Sequence, residues 1–261
     1  MTIRGESGAQ GADGLGGRVA VVTGGAGGNG QAIALALHAG GYQVVLADID
    51  EARLARVRRS AFGDSAECMT VVCDVSNAAD CERAGRSIVD AHGRIDVLVN
   101  GAGLYRVNQI GDADFRATYE LLMRVNVEGV LNMSLALRAQ LERAQGAIVN
   151  IASIESFLAG SSSVGYTASK TAVAGLTRAL AAELAHQGVR VNAVAPGIVD
   201  TPMVAHLTGD ERARQRARSR IPMKRFAAPE EIAGIVAFLA SPAASYMTGS
   251  VVVADGGYLL G

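Results

Sequence analysis

Tyr166 and Lys170 stand four residues apart in a stretch of helical character, Tyr166-Thr167-Ala168-Ser169-Lys170, and Ser153 precedes the tyrosine by thirteen residues. Residues four apart share one face of an α-helix, so the Lys170 ammonium can lie beside the Tyr166 phenol. A free tyrosine has a pKa of about 10, and a neighbouring cation favours the phenolate. The expectation is that Lys170 depresses the Tyr166 pKa and makes the phenol an acid/base near neutral pH. Ser153 follows the apolar run Ala147-Ile148-Val149-Asn150-Ile151, which places it at the C-terminal end of a strand, where open α/β sheets put their ligands. Its hydroxyl can there hold a substrate oxygen. Helices also carry Tyr-x-x-x-Lys pairs as solvated face residues, so the pair acquires meaning only from the elements around it.

A second constellation lies near the N-terminus. The apolar run Val19–Thr23 leads into Gly24-Gly25-Ala26-Gly27-Gly28-Asn29-Gly30 and then a helical stretch from Ala32 to Ala39. Glycines let such a turn close tightly and bring backbone N–H groups to a pyrophosphate, whose charge a helix N-terminus favours. Asp48 ends the next apolar run, and a carboxylate there can accept both adenosine ribose hydroxyls of NAD while repelling a 2′-phosphate. The neighbouring Ile49 and Gly27 offer no cation to NADP. The alternative role for Asp48 is to start the helix beginning at Glu51.

Strand-like runs at Val19–Thr23, Gln43–Ala47, Met69–Cys73, Ile95–Val99, Gly146–Ile151, Val189–Val194 and Ser250–Val253 alternate with stretches of helical periodicity. Such alternation predicts an α/β fold: one Rossmann-type doubly wound domain, a seven-stranded parallel sheet with helices on both faces, over residues 18–261. Residues 1–17, rich in glycine and small polar residues, read as a flexible arm. All five prolines fall in the last quarter, which points to a substrate lid over about 201–226.

The aliphatic composition suits a buried parallel sheet, and the low aromatic content argues against an aromatic-lined nucleic-acid surface. A formal net charge of −1 gives no global attraction to nucleic acid or an anionic membrane. No apolar run reaches the ~20 residues needed to span a bilayer, and the N-terminus lacks a secretory h-region. The expectation is a soluble cytoplasmic protein with a small-molecule substrate and neither a nucleic-acid nor a membrane partner. Cys68, Cys73 and Cys81 lack zinc-type spacing and read as buried or partly buried thiols, with no metal site.

From Arg18 to the C-terminus the chain resembles the short-chain dehydrogenase/reductase family. Thr23, Gly24, Gly28 and Gly30 match its glycine motif, with Asn29 where an apolar residue is usual. Asp74 and Val75 are similar to its adenine-contact pair. Asn100, Gly101, Ala102 and Gly103 resemble its Asn-Asn-Ala-Gly motif with one departure at Gly101, and Asn126 resembles its helix asparagine. Pro196, Gly197, Val199 and Thr201 resemble the segment that holds the nicotinamide carboxamide. The resemblance implies that Ser153 hydrogen-bonds the substrate oxygen and Tyr166 exchanges its proton. It further implies that Lys170 binds the nicotinamide ribose, that Asn126 holds a relay water, and that NAD supplies the redox chemistry.

Substrate residues are the least determined. Arg106, Glu155 and Met203 are candidates, with Leu104, Tyr105, Ile154 and Ser161 to Ser163 as further walls. Glu155 suits a sugar or polyol by accepting several hydroxyls, or else it is a solvated loop residue. Arginines 212, 214, 216, 218 and 220 with Lys224 and Arg225 make the lid basic, which suits either an anionic substrate group or a solvated helix face. The C-terminal runs resemble both polyol and sugar dehydrogenases and NADPH-dependent 3-oxoacyl reductases. A non-catalytic NAD-binding regulator is a third class, which the complete catalytic set argues against. The family usually pairs its long central helices, here about 118–143 and 166–186, which implies a homotetramer.

Overall fold

Seven short apolar runs pair into one parallel sheet. The computed structural model describes residues 17–63, 68–159, 163–204 and 211–261. The strands are β1 (Val19–Thr23), β2 (Gln43–Asp48), β3 (Cys68–Val72), β4 (Val97–Asn100), β5 (Ala147–Ile151), β6 (Arg190–Pro196) and β7 (Val251–Ala254). Their order is β3-β2-β1-β4-β5-β6-β7 and every pair is parallel, as the alternating pattern predicts. β6 runs beyond its expected end to Pro196, which closes the strand because proline has no N–H for a further ladder bond. The expected arm (apart from Gly17), Ser161, Ser162 and lid residues 205–210 lie outside the described residues.

Side chains alternate along each strand, so both faces of the sheet need cover. Ala20 and Val22 pack with Ile33 and Leu37 of α1 (Gly28–Ala39) and with Val236 and Leu239 of α8 (Pro229–Ala240). Val19 and Val21 pack on the other face with Ile88 of α3 (Ala78–His92), Met133 and Leu137 of α5 (Gly129–Ala144) and Leu180 of α6 (Val164–Leu184). Helices therefore flank the sheet on both sides. Cys68, Cys73 and Cys81 are buried free thiols. Among the described residues no helix is long and apolar enough to cross a membrane.

Local signals set the helices that matter to the site. Asp50, not Asp48, starts α2 (Glu51–Val57), by accepting the Arg53 N–H at 2.9 Å. Ser163 caps α6 by accepting the Tyr166 N–H at 3.1 Å. α4 (Phe115–Met123) passes through one wide π-type turn, Arg124–Glu128, into α5. Such turns often mark functional positions, and this one carries Asn126. Beneath the site a polar ladder crosses the core. Asn100 Nδ2 donates to Asn150 Oδ1 at 2.9 Å, Asn150 Nδ2 donates to Thr177 Oγ1 at 2.9 Å, and Thr177 Oγ1 donates to the Val173 carbonyl at 2.8 Å.

β1 and β4 lie side by side although chain connections leave them in opposite directions, which creates the crevice where open sheets bind ligands. The loops that follow them touch through their backbones. Gly24 takes φ +66°, and a Cβ there would lie 2.8 Å from the Ala102 backbone. Thr23 Oγ1 accepts the N–H groups of Gly101 and Ala102, both at 3.1 Å. A Cβ on Gly30 would fall 2.1 Å from the Gly24 carbonyl oxygen, so α1 approaches the loop only as glycine allows. Gly30→Ala is therefore expected to destabilise the fold by about 1–3 kcal/mol through overpacking. Calorimetry should show Tm falling by ~2–4 °C per kcal/mol, together with weaker dinucleotide binding.

Candidate active site

The glycine loop and the start of α1 form a polar cradle. Gln31 is the first residue of α1 whose N–H reaches back into the loop, to Gly27 at 2.8 Å, so the preceding N–H groups of the first turn are left for a ligand. The first turn carries no acidic side chain, and Asn29 Oδ1 is buried without a partner. At the end of β2, Asp48 Oδ2 accepts the Ala26 N–H at 3.1 Å and Oδ1 accepts the Asp50 N–H at 3.2 Å. Each oxygen keeps a lone pair for a ribose hydroxyl. A cradle that side chains would fill, an unpaired helix N-terminus and a poised carboxylate fit a nicotinamide dinucleotide.

The other expected cofactor residues border the same crevice. Asp74 Oδ1 accepts from the N–H and hydroxyl of Ser76, at 2.9 and 2.8 Å, which fixes the turn after β3. Val75 is held by α5, since a Cβ on Gly129 would meet its Cγ2 at 2.7 Å and Asn132 Nδ2 donates to its carbonyl at 2.9 Å. On the far side Gly197 leaves no room for a side chain, a Cβ lying 2.8 Å from Asp255 Cα. Val199 is buried and bridges to Ala227, and the Thr201 methyl would stand 3.0 Å from a Cβ on Gly28. The segment from Pro196 to Thr201 thus leans over the glycine loop.

Tyr166, Ser153, Lys170 and Asn126 converge at the ends of β4 and β5. All four are buried. The Ser153 hydroxyl stands close enough to the Tyr166 phenol to act on its pKa, and Ser153 Oγ accepts the Glu155 N–H at 3.1 Å. Asn126 is engaged on three sides: Oδ1 accepts the Leu104 N–H at 2.7 Å, and Nδ2 donates at 3.0 Å to both the Leu104 carbonyl and Ser169 Oγ. Ser169 Oγ in turn donates to the Tyr166 carbonyl at 2.8 Å. Lys170 Nζ donates to the Ile151 carbonyl at 2.7 Å. A Cβ on Gly103 would lie 3.3 Å from Asn126 Oδ1 and 3.6 Å from Lys170 Nζ, so glycine keeps open the space between those atoms.

The electrostatics correct one expectation. Burial pushes the Tyr166 phenol above its ordinary pKa; the Ser153 hydroxyl opposes this, and the charge of Glu155 and the nearby Tyr105 add to it. Lys170 does not depress it in this geometry, because its ammonium lies over the ring face, 5.9 Å from the centre, with a hydrogen bond to Ile151. Burial also pushes Lys170 itself down, to about 8. Desolvation therefore outweighs the mutual attraction expected from helical spacing.

Of the candidates Arg106, Glu155 and Met203, Glu155 lies near enough for its charge to act on the Tyr166 phenol. It is half-buried and accepts from Thr167 Oγ1 at 2.7 Å. Tyr105 packs edge-on against Tyr166 with ring centres 4.9 Å apart. Arg106 and Met203 are exposed, and among the described residues no contact joins them to Tyr166. Several lid arginines have local partners. Arg214 pairs with Asp200 at 3.0 Å, Arg218 of α7 (Glu211–Ser219) with Glu211 at 2.6 Å and Arg225 with Glu231, while Arg220 lies over the Tyr258 ring. The bracing roles of Thr23 and Ser169 and the position of Arg53 on the Ala26 carbonyl were not foreseen, since each depends on contacts between distant elements or on the path of a long side chain.

The fold and this crevice define an oxidoreductase that binds a nicotinamide cofactor. The family model described as Enoyl-(Acyl carrier protein) reductase matches residues 24–259. The 3-oxoacyl-(acyl-carrier-protein) reductase FabG of Thermotoga maritima is 37% identical over 250 residues, covering 94% of this chain and 99% of that protein. Cis-4-hydroxycyclohexanecarboxylate dehydrogenase of Sinomonas cyclohexanicum is 42% identical over 246 residues, covering 92% and 96%. Among solved structures, a gluconate 5-dehydrogenase from Burkholderia cenocepacia in complex with NADP and tartrate superposes with a TM-score of 0.89 at 32% identity, covering 95% and 97%. The chain belongs to the short-chain dehydrogenase/reductase family.

The buried lysine makes stability depend on pH. Between its folded pKa of about 8 and its unfolded value of about 10.4, the unfolded chain binds more protons, so stability rises with pH through that window. Below the window both states are protonated and the full penalty of the buried charge is present. Denaturant unfolding at pH 7.5 and 10 should show wild type gaining on Lys170→Met by roughly 1–3 kcal/mol over the interval.

Proposed function

We propose that the protein is an NAD-dependent dehydrogenase that interconverts a secondary alcohol and a ketone or lactone, acting on a sugar, polyol or related hydroxylated substrate, including anionic ones. The observation that carries this reading is the convergence of buried Ser153, Tyr166, Lys170 and Asn126 at the ends of β4 and β5, with Lys170 Nζ over the Tyr166 ring and Asn126 tied to Tyr166 through Ser169. The nicotinamide, when bound, supplies the hydride donor or acceptor. Ser153 holds the substrate oxygen, and Tyr166 gives the proton to that oxygen in reduction or removes it in oxidation. Lys170 holds the nicotinamide ribose. Asn126 holds a relay water that connects Lys170 to solvent.

Asp48 supports NAD, because a 2′-phosphate against its carboxylate meets like-charge repulsion. Asp74, Val75, Asn100, Ala102, Gly103, Pro196, Gly197, Val199 and Thr201 line the proposed cofactor path. Glu155 supports a hydroxylated substrate by offering a carboxylate near Tyr166, with Arg106 and Met203 as outer walls. Two relatives named for gluconate and for a hydroxycyclohexanecarboxylate favour a substrate that joins hydroxyl and carboxylate groups. The second reading, an NADPH-dependent 3-oxoacyl-thioester reductase, is favoured by the match to FabG. We place the enzyme in the cytoplasm as a homotetramer, with residues 18–261 as one domain and a lid at about 201–226. The partly exposed Leu131 and Leu135 of α5 are consistent with pairing of that helix.

A panel of sugars, sugar acids, polyols, hydroxy acids and 3-oxoacyl thioesters, read by absorbance of the reduced cofactor, separates the two readings. Activity confined to 3-oxoacyl thioesters would refute the first. Tyr166→Phe is expected to lower kcat by at least ~10²-fold while dinucleotide affinity stays within about twofold, since the phenol acts in the chemical step. Light scattering at micromolar concentration should report four subunits; a stable monomer would exclude the proposed assembly.

A further inference from the structure

Two of the three free cysteines are brought together by one turn. Cys73 follows β3 and Cys81 stands near the start of α3, with Asp74 to Asp80 between them. The turn closes on itself: the Asp74 N–H donates to Asp80 Oδ2 at 3.0 Å, and the Asn77 N–H donates to the Asp74 carbonyl at 3.0 Å. Residues 74 and 80 are therefore side by side, and so are their outer neighbours Cys73 and Cys81. Cys81 Sγ lies against this turn, donating to the Val75 carbonyl at 3.5 Å and to the Asp74 carbonyl at 3.9 Å. Both cysteines belong to one buried cluster, 2% and 0% exposed. The thiols stand close enough to act on each other: Cys81 holds the Cys73 thiol below its ordinary pKa against the effect of burial, while Cys73 and burial push Cys81 up. Cys68, at the other end of β3, is pushed up to about 11 by burial. Cys73 is thus the better nucleophile, because the thiolate is the reactive form.

We propose that Cys73 and Cys81 are a redox modification site, a dithiol that a hydroperoxide converts to a reversible disulfide across the turn of Asp74 and Val75. The Cys73 sulfur attacks one peroxide oxygen; an S–O bond forms as the O–O bond breaks, and the thiol proton goes to the leaving oxygen, which departs as water or an alcohol. The Cys81 sulfur then attacks the Cys73 sulfur, so that the S–S bond forms, the S–O bond breaks and water leaves with the Cys81 proton. The two thiols lose two electrons and two protons, and the peroxide is reduced. β3 is the edge strand of the sheet and Val72, beside Cys73, is 52% exposed, so a small oxidant reaches the pair through a local opening of that edge. A disulfide draws its sulfurs to about 2.0 Å, which pulls Cys81 Sγ off the Val75 carbonyl and shifts the turn. The consequence for dinucleotide affinity rests on Asp74 and Val75 lining the cofactor path; the bond itself does not.

The test is to treat the folded protein with hydrogen peroxide, cut it at its aspartates without reduction and map the peptides by mass spectrometry. The expected product joins the peptide ending at Cys73 to the one beginning at Asp80, lighter by two hydrogens than their sum and separated again by dithiothreitol. Cys68→Ala should keep this cross-link, and Cys73→Ala and Cys81→Ala should lose it; circular dichroism melts confirm that each variant is folded, and the wild-type map needs none of them. In titrations read from nicotinamide fluorescence, oxidised wild type should bind NADH about fivefold more weakly than reduced, whereas peroxide should change the two single variants by less than about twofold. A Cys68–Cys73 bond, a sulfinic acid at Cys73 without a cross-link, or unreacted thiols each overturn the proposal. A Cys73–Cys81 bond with unchanged NADH affinity overturns its effect on the turn. Reduced protein that binds no NADH sinks the cofactor reading alone, since the cross-link is read without it.

Discussion

The structure depends on one close approach, the contact of the two backbones that leave the neighbouring strands β1 and β4. Gly24 and Ala102 meet at a distance that excludes a side chain, and the Thr23 hydroxyl ties down the N–H groups of Gly101 and Ala102. From that clamp a line of hydrogen bonds runs through the loop to Leu104, across to Asn126, then Ser169 and the Tyr166 carbonyl. The cofactor cradle and the acid/base group are thereby parts of one rigid assembly. Their relative position is fixed by a backbone contact and by short, buried side chains bonded to the backbone, which is what positioning a hydride and a proton in one step requires.

Burial acts on the two central groups in the same direction chemically. It raises the phenol and lowers the ammonium, so both are driven toward their neutral forms. At neutral pH, below its pKa of about 8, Lys170 keeps its charge while Tyr166 stays neutral, so one ion is buried instead of two, and the Ile151 carbonyl accepts from that ammonium. The site therefore holds its acid/base chemistry without a buried ion pair of its own.

Much of this was legible in the chain. The alternation of apolar runs and helical stretches predicted seven strands and their parallel pairing, because a buried parallel strand must be apolar on both faces. Tyr166, Lys170 and Ser153 were singled out by their spacing and by the place of Ser153 after an apolar strand run, and Asn126 by the family resemblance; the structure buries all four near one another. What was not legible concerns solvation and reach. Spacing alone showed that Lys170 and Tyr166 share a helix face, but the cost of removing both from water depends on what covers them. The bond from Arg53 to the Ala26 carbonyl went unnoticed since it comes from a long side chain crossing to another loop, and Asp50 rather than Asp48 starts α2, a shift of two residues that only the backbone path decides.

The ladder of Asn100, Asn150 and Thr177 has a consequence for how such a chain can vary over generations. Each member supplies a donor or acceptor to the next inside the buried core, so replacing one by an apolar residue strands its neighbour, at roughly 1–3 kcal/mol. Replacing all of them with well-packed apolar groups removes the penalty, but that route passes through single changes that are each harmful. The three positions, on three different elements, are thus bound to a common fate, and a lineage keeps the whole set or loses it together.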